Sequence, residues 1–118
     1  MEKFQISTPL SGEYLTTVRL TVGGLCALSE FDVDSAEDCK VCVTESLLIL
    51  KRNGFLTAKL CFTLGESLGV EIEGETLGED VEDDGDDGIS YALLNALLGT
   101  VEFVKDGDGR VKKIAFCA

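Results

Sequence analysis

The chain predicts an α+β fold: a two-layer α/β sandwich in which a mostly antiparallel five-stranded sheet carries three helices on one face. Three observations lead there. The apolar period alternates between 2 and 3.6 residues in the order β-α-α-β-β-α-β-β, which fits a sheet covered by helices. Two short turn sequences, residues 65–67 and Asp106-Gly-Asp-Gly109, each separate a pair of strand-like runs and mark hairpins. The longest helical run, residues 34–52, supplies a central helix for the others to pack on. At 118 residues the chain is one domain, residues 1–118, long enough to bury a core without staples.

Taken in order, residues 3–7 alternate apolar and polar and read as a strand, which Thr8-Pro9 breaks. A helix opens near Ser11 and runs to Leu28, with Leu15, Val18, Val22, Leu25 and Cys26 on one face. Gly23 and Gly24 inside it cost roughly 1 kcal/mol each relative to alanine, which predicts close packing or a bend. Residues 31–33 link it to the central helix. There Asp34 is the expected N-cap, with Glu37 completing a capping box. Asn53-Gly54 is the stop, and Lys51 and Arg52 sit where the helix dipole favours cations.

The central helix is about 19 residues, or roughly 28 Å, long. Val41, Cys42, Glu45, Leu48, Ile49 and Arg52 share one of its faces. Glu45 is the single carboxylate on that stripe. It either lies at the margin, reaching water or a lysine, or is the carboxylate of a cleft.

After Gly54 the period changes to 2. Residues 55–64 and 68–73 are two strands, and residues 74–87 form a loop of low hydrophobicity. Residues 89–98 are a helix striped by Leu93, Leu94, Leu97 and Leu98. Residues 101–104 and 110–116 close the chain as the second hairpin.

Composition narrows the function. A net charge of −12 opposes any role resting on phosphate contacts, so nucleic acid is not an expected partner, whereas a basic protein surface is. There is no apolar run near 18 residues and no basic segment before one, so neither a membrane span nor a signal peptide is expected and the location is cytoplasmic. Histidine is absent, which removes Ser-His-Asp and Cys-His chemistry. The five cysteines read as reduced, mostly buried small hydrophobes. Cys39 and Cys42 spell C-x-x-C, but a structural zinc site needs four ligands and no second close pair exists, so packing is the expected role and no metal is expected. Between Glu71 and Asp87 there are ten acidic residues and no basic one. That run is a solvated charge block, or, through Asp80-x-Glu82-x-Asp84-Gly85, an imitation of a calcium loop in which Tyr91 stands where the bidentate glutamate is required.

Three segments carry a family resemblance. Glu13-Tyr-Leu-Thr-Thr-Val-Arg-Leu-Thr-Val-Gly-Gly-Leu25 looks like a first helix. Phe31-Asp-Val-Asp34 with Glu37-Asp-Cys-Lys-Val-Cys-Val-Thr-Glu-Ser46 looks like the start of a central helix, and Gly88-Ile-Ser-Tyr-Ala-Leu-Leu94 like a Gly-Leu-Gly-Leu-type start of a last helix. In this order and spacing they resemble the histidine-kinase-like ATPase (GHKL, or Bergerat) domains of the anti-sigma factor/serine-protein kinase family. The resemblance covers nearly the whole chain.

It implies a nucleotide cleft of ATP and Mg²⁺, and the departures from the pattern define what is expected of it here. Glu45 takes the place of the glutamate implicated in phosphoryl transfer, but Ile49 stands where an asparagine holds Mg²⁺, and isoleucine offers no oxygen to a hard cation. Gly74 and Glu75 are nearest to the adenine-binding Asp-x-Gly. Gly88 begins the phosphate-cradling turn, with Ser90 in place of its second glycine. The vestigial cleft is thus Glu45, Ile49, Gly74, Glu75, Gly88 and Ser90, with Glu45 catalytic only if the chain is active. The family binds sigma factors and anti-sigma antagonists, often as dimers, and the first helix and acidic loop are the surfaces this implies. The expectation is a regulatory protein-binding module with lost or weakened ATP binding and no cofactor. The alternatives are an active ATP-dependent serine kinase and a structural or oligomerising domain without nucleotide.

Overall fold

Eight elements follow one another in the computed structural model, which describes residues 2–78 and 88–118. They are β1 (Glu2–Pro9), α1 (Gly12–Leu28), α2 (Val33–Arg52), β2 (Phe55–Leu64), β3 (Leu68–Leu77), α3 (Gly88–Leu97), β4 (Val101–Lys105) and β5 (Val111–Cys117). The element order is the expected one, and the architecture is an α+β two-layer sandwich. The strands form one sheet in the order β1-β2-β3-β5-β4, and every neighbouring pair is antiparallel.

Strand alternation decides which face the helices cover. Ala58, Leu60 and Phe62 of β2, Leu68, Val70 and Ile72 of β3, and Val111, Ile114 and Phe116 of β5 are all buried, while Lys59, Glu71, Glu73 and Lys112 between them are exposed. Register turns these into cross-strand rows. Leu60, Ile72 and Ile114 stand side by side, as do Phe62, Val70 and Phe116. On this floor lies α2, with α1 and α3 packed against it. A T-shaped contact of Tyr91 with Phe103, centroids 4.9 Å apart, fixes α3 to β4.

Four expectations about the elements are corrected. The N-cap of α2 is Asp32, whose side chain accepts from the Ser35 amide at 2.7 Å. Asp34 lies inside the first turn, and Glu37 pairs with Lys40 at 2.9 Å instead of closing a capping box. Pro9 does not break β1, because β1 is an edge strand and a missing amide on its open side costs no ladder bond. Residues 74–77 are not loop but the end of β3, with Ala58 opposite Gly74 and Phe55 opposite Leu77. The buried face of α2 is broader than a single stripe. Cys39, Cys42, Val43, Leu47, Ile49 and Leu50 are all buried, whereas Val41, Glu45 and Leu48 lie at its edges. A helix covered by two helices and a sheet needs apolar residues over most of its circumference.

The helix ends are built as their sequences dictate. Gly54 follows α2 with φ 94°, its amide on the Lys51 carbonyl, as the Asn53-Gly54 stop predicted. At the end of α1 the left-handed position falls to Glu30, φ 59°, and the Phe31 amide returns to the Cys26 carbonyl at 3.1 Å. Gly23 faces α2, where a Cβ would stand 3.0 Å from Lys40 Cε. No helix among the described residues is long and apolar enough to cross a membrane. The acidic run from residue 79 to 87, with its calcium-loop imitation, lies outside the described residues.

Candidate functional site

Glu45 and Arg52 stand seven residues apart on α2, hence on one side of the helix and two turns from one another. The first turn of α3 drops Ser90 between them. Its hydroxyl donates to Glu45 Oε2 at 2.6 Å and accepts from Arg52 Nη1 at 2.9 Å, so both functions of the hydroxyl are used. Ser90 is 1% exposed. The carboxylate also lies at the first turn of α3, the positive end of that helix's dipole, which favours an anion. The bridge is a charge-assisted clamp of α3 onto α2.

The polar residues nearby on α2 are likewise turned inward. Thr44 Oγ1 donates to the Lys40 carbonyl at 2.8 Å and accepts from Arg19 Nε at 3.0 Å, which ties α1 to α2. Ser46, fully buried, donates to the Cys42 carbonyl. Ile49 is 0% exposed and packs within the core. Below it Asn53 donates to the Ile49 carbonyl and accepts from the Val111 amide at 3.0 Å, joining the end of α2 to β5. As a donor set for Mg²⁺ this group is poor. Its one carboxylate already accepts from Ser90, and the residue a turn below is an alkyl group.

Gly74 and Glu75 lie elsewhere. β5 pairs with β3 only as far as Glu73 opposite Lys113, while β2 follows β3 to Leu77, so the sheet opens on one side of residues 74–77. A recess of about 420 Å³ forms there, lined by Phe55, Glu73, Gly74, Glu75, Leu77, Asp106 and Lys112. None of Glu45, Ile49, Gly88 and Ser90 lines it. Gly74 has a plain steric reason: a Cβ would stand 2.4 Å from the Phe55 ring, which is 4% exposed. The expected cleft residues therefore divide into a clamp (Glu45, Ser90, with Gly88 opening the same helix), a core residue (Ile49) and the wall of a separate recess (Gly74, Glu75).

A second, smaller recess of about 150 Å³ lies between the first half of α2 and the end of α3, with Cys39 and Cys42 in its wall. Burial, then the carboxylates of Asp38 and Glu45, pushes the Cys42 thiol up to about 11. Burial raises Cys39 further and raises Cys26 as well, so all three are protonated thiols at neutral pH. This is packing chemistry. No three Cys, Asp or Glu side chains among the described residues converge in a way that would hold a metal ion.

Sequence reasoning missed the third member of the clamp. Arg52 stood on the same helical face as Glu45, but only as a complement to the helix dipole. The signal that could have marked it is that i, i+7 spacing of opposite charges on one stripe, a span that wants a bridging group. The Arg19–Thr44 contact carried no such signal. Compared with protein-family models and with curated proteins, the chain matches none.

Proposed function

We propose that the chain is a regulatory protein-binding module on an anti-sigma-like GHKL frame, with its nucleotide cleft given over to an internal clamp. One observation carries this reading. The Glu45 oxygen that would face a phosphate or its metal is held by Ser90 at 2.6 Å, with Arg52 on the same hydroxyl, and Ile49 beside them is buried in the core. To admit a magnesium-nucleotide, the chain would have to break a charge-assisted bridge and place an alkyl side chain against a cation.

The frame itself is supported by the β-α-α-β-β-α-β-β order and the helix-covered antiparallel sheet. The partner class follows from charge. A surface of −12 overall, with ten carboxylates between residues 71 and 87, complements a basic protein face and speeds encounter with it. A sigma factor or an anti-sigma antagonist is the partner that the resemblance implies.

Backbone amide NMR of the ¹⁵N-labelled chain tests the cleft residue by residue. Addition of Mg-ATP to millimolar concentration leaves the Glu45, Ile49, Gly88 and Ser90 amides unmoved if the clamp has replaced the cleft. Saturable shifts confined to those four would overturn the proposal and restore the kinase alternative.

A further inference from the structure

The end of β3 is paired on one side only. Its β2 side is matched as far as Leu77, whereas on the β5 side the register stops at Glu73 opposite Lys113. Among the described residues no other strand takes up that side. The backbone of Leu77 looks onto it: the Gly78 amide turns to the Gly54 carbonyl at 2.8 Å, on the β2 side, so strand alternation points the amide and carbonyl of Leu77 the other way. Such an edge is a template on which an extended segment of another chain can add a strand.

The recess beside this edge has walls of two kinds. Phe55 and Leu77 give it an apolar side, while Glu73, Glu75 and Asp106 set three carboxylates against one ammonium, that of Lys112. Asp106 is fixed in its turn by the amides of Asp108 and Arg110, at 2.9 and 3.0 Å. Phosphates are repelled by such a lining, and a bare cation makes no use of the apolar wall. A lysine or arginine side chain uses both, with its alkyl stem against Phe55 and Leu77 and its charged head among the carboxylates. The volume, about 420 Å³, is enough for a small ligand group.

We propose that this open end of β3 docks an extended, basic segment of the partner protein, which adds a strand beside Leu77 and lays a lysine or arginine in the recess. Backbone bonds to the edge supply affinity, and the recess selects for positive charge. Carboxylates flanking the edge also turn away acidic segments, other copies of this chain of net charge −12 included. The proposal takes the basic partner of the preceding section as its premise. It is separate from the clamp, since neither Glu45, Ser90 nor Arg52 lines the recess.

Fluorescence anisotropy with a labelled, blocked hexapeptide that alternates threonine with arginine, titrated with the full chain up to about 1 mM, tests it. Saturable binding is expected, with none for the counterpart that carries glutamate in place of arginine. The arginine peptide methylated on its amide nitrogens keeps its charge but cannot pair with an edge, and should bind at least about tenfold more weakly. Glu75→Lys, at an exposed position that leaves the fold intact by circular dichroism, should weaken binding at least about tenfold. Glu66→Lys, the same change of charge in the turn at the other end of β3, should stay within about twofold. Hydrogen exchange of the Leu77 amide should slow when the arginine peptide is bound. Absence of saturable binding overturns the proposal, and indifference to methylation overturns the added strand. Equal weakening by Glu66→Lys and Glu75→Lys would overturn this site while leaving a basic partner in place, whereas equal binding of the glutamate peptide would remove the premise itself.

Discussion

Replacing Ser90 by alanine removes one oxygen atom and unlinks three side chains. The hydroxyl is 1% exposed, donates to a carboxylate at 2.6 Å and accepts from a guanidinium at 2.9 Å. A hydrogen bond to a charged group contributes about 1.5–3 kcal/mol net, and less where water can take its place. Glu45 is only half-buried, so its share falls toward the lower value, and Arg52 keeps other interactions. The expected loss is about 2–3 kcal/mol. With an unfolding entropy near 2.1 cal/mol/K per residue, a chain of 118 residues then melts about 8–12 °C lower. Urea unfolding should show the loss in the midpoint with the slope unchanged. A double-mutant cycle of Ser90→Ala with Glu45→Ala should give a coupling of about 1–2 kcal/mol. A loss below about 0.5 kcal/mol, the level of an ordinary surface substitution, would refute the clamp as a structural element.

Three further outcomes follow from the same geometry. Gly74→Ala drives a Cβ to 2.4 Å from a buried ring and should cost about 1–3 kcal/mol by thermal unfolding; Phe55→Leu in the same chain should recover part of it. Native-state alkylation followed by mass spectrometry should label Cys117 first and Cys61 more slowly. Cys26, Cys39 and Cys42, buried and held as thiols, should react only on unfolding. Asp106 is pushed up by burial, but amide hydrogen bonds from Arg110 and Asp108 and the Arg110 charge outweigh this and hold it below the usual carboxylate range. A depressed carboxylate stabilises the fold above its unfolded value, and that contribution is lost as the pH falls through its folded one. Asp106→Asn should therefore melt lower than the parent at pH 7, with the gap closing as the pH drops below about 4.

Where period and turn chemistry act locally, the chain was readable from its residues. The switch from period 3.6 to 2 at Gly54, the Asn53-Gly54 stop and the turn over residues 106–109 each have causes within a few positions, and each fell where expected. The corrections concern competitions that only tertiary contacts settle. Asp32 and Asp34 are both competent caps two residues apart, and the helix begins at the first. Gly74 resembles a loop residue until Phe55, nineteen positions earlier, is seen to need its space.

The candidate site divides in the same way. Glu45 stood out because a carboxylate on an apolar stripe demands a partner. That the partner would be Ser90, joined to Arg52, depends on the docking of α3 against α2, across 45 and 38 positions. Against the family pattern Ile49 is a missing ligand, whereas the fold uses it as core. The resemblance placed residues in an order, and packing then decided which of them meet.

Isothermal titration of the purified chain with ATP and with ADP, each with and without Mg²⁺ at near-physiological salt, tests the central claim most directly. A cleft given over to the Glu45–Ser90–Arg52 clamp predicts no heat of binding up to millimolar nucleotide. Saturable binding at tens of micromolar, about −6 kcal/mol, that depends on Mg²⁺ and is lost in Glu45→Ala would contradict it.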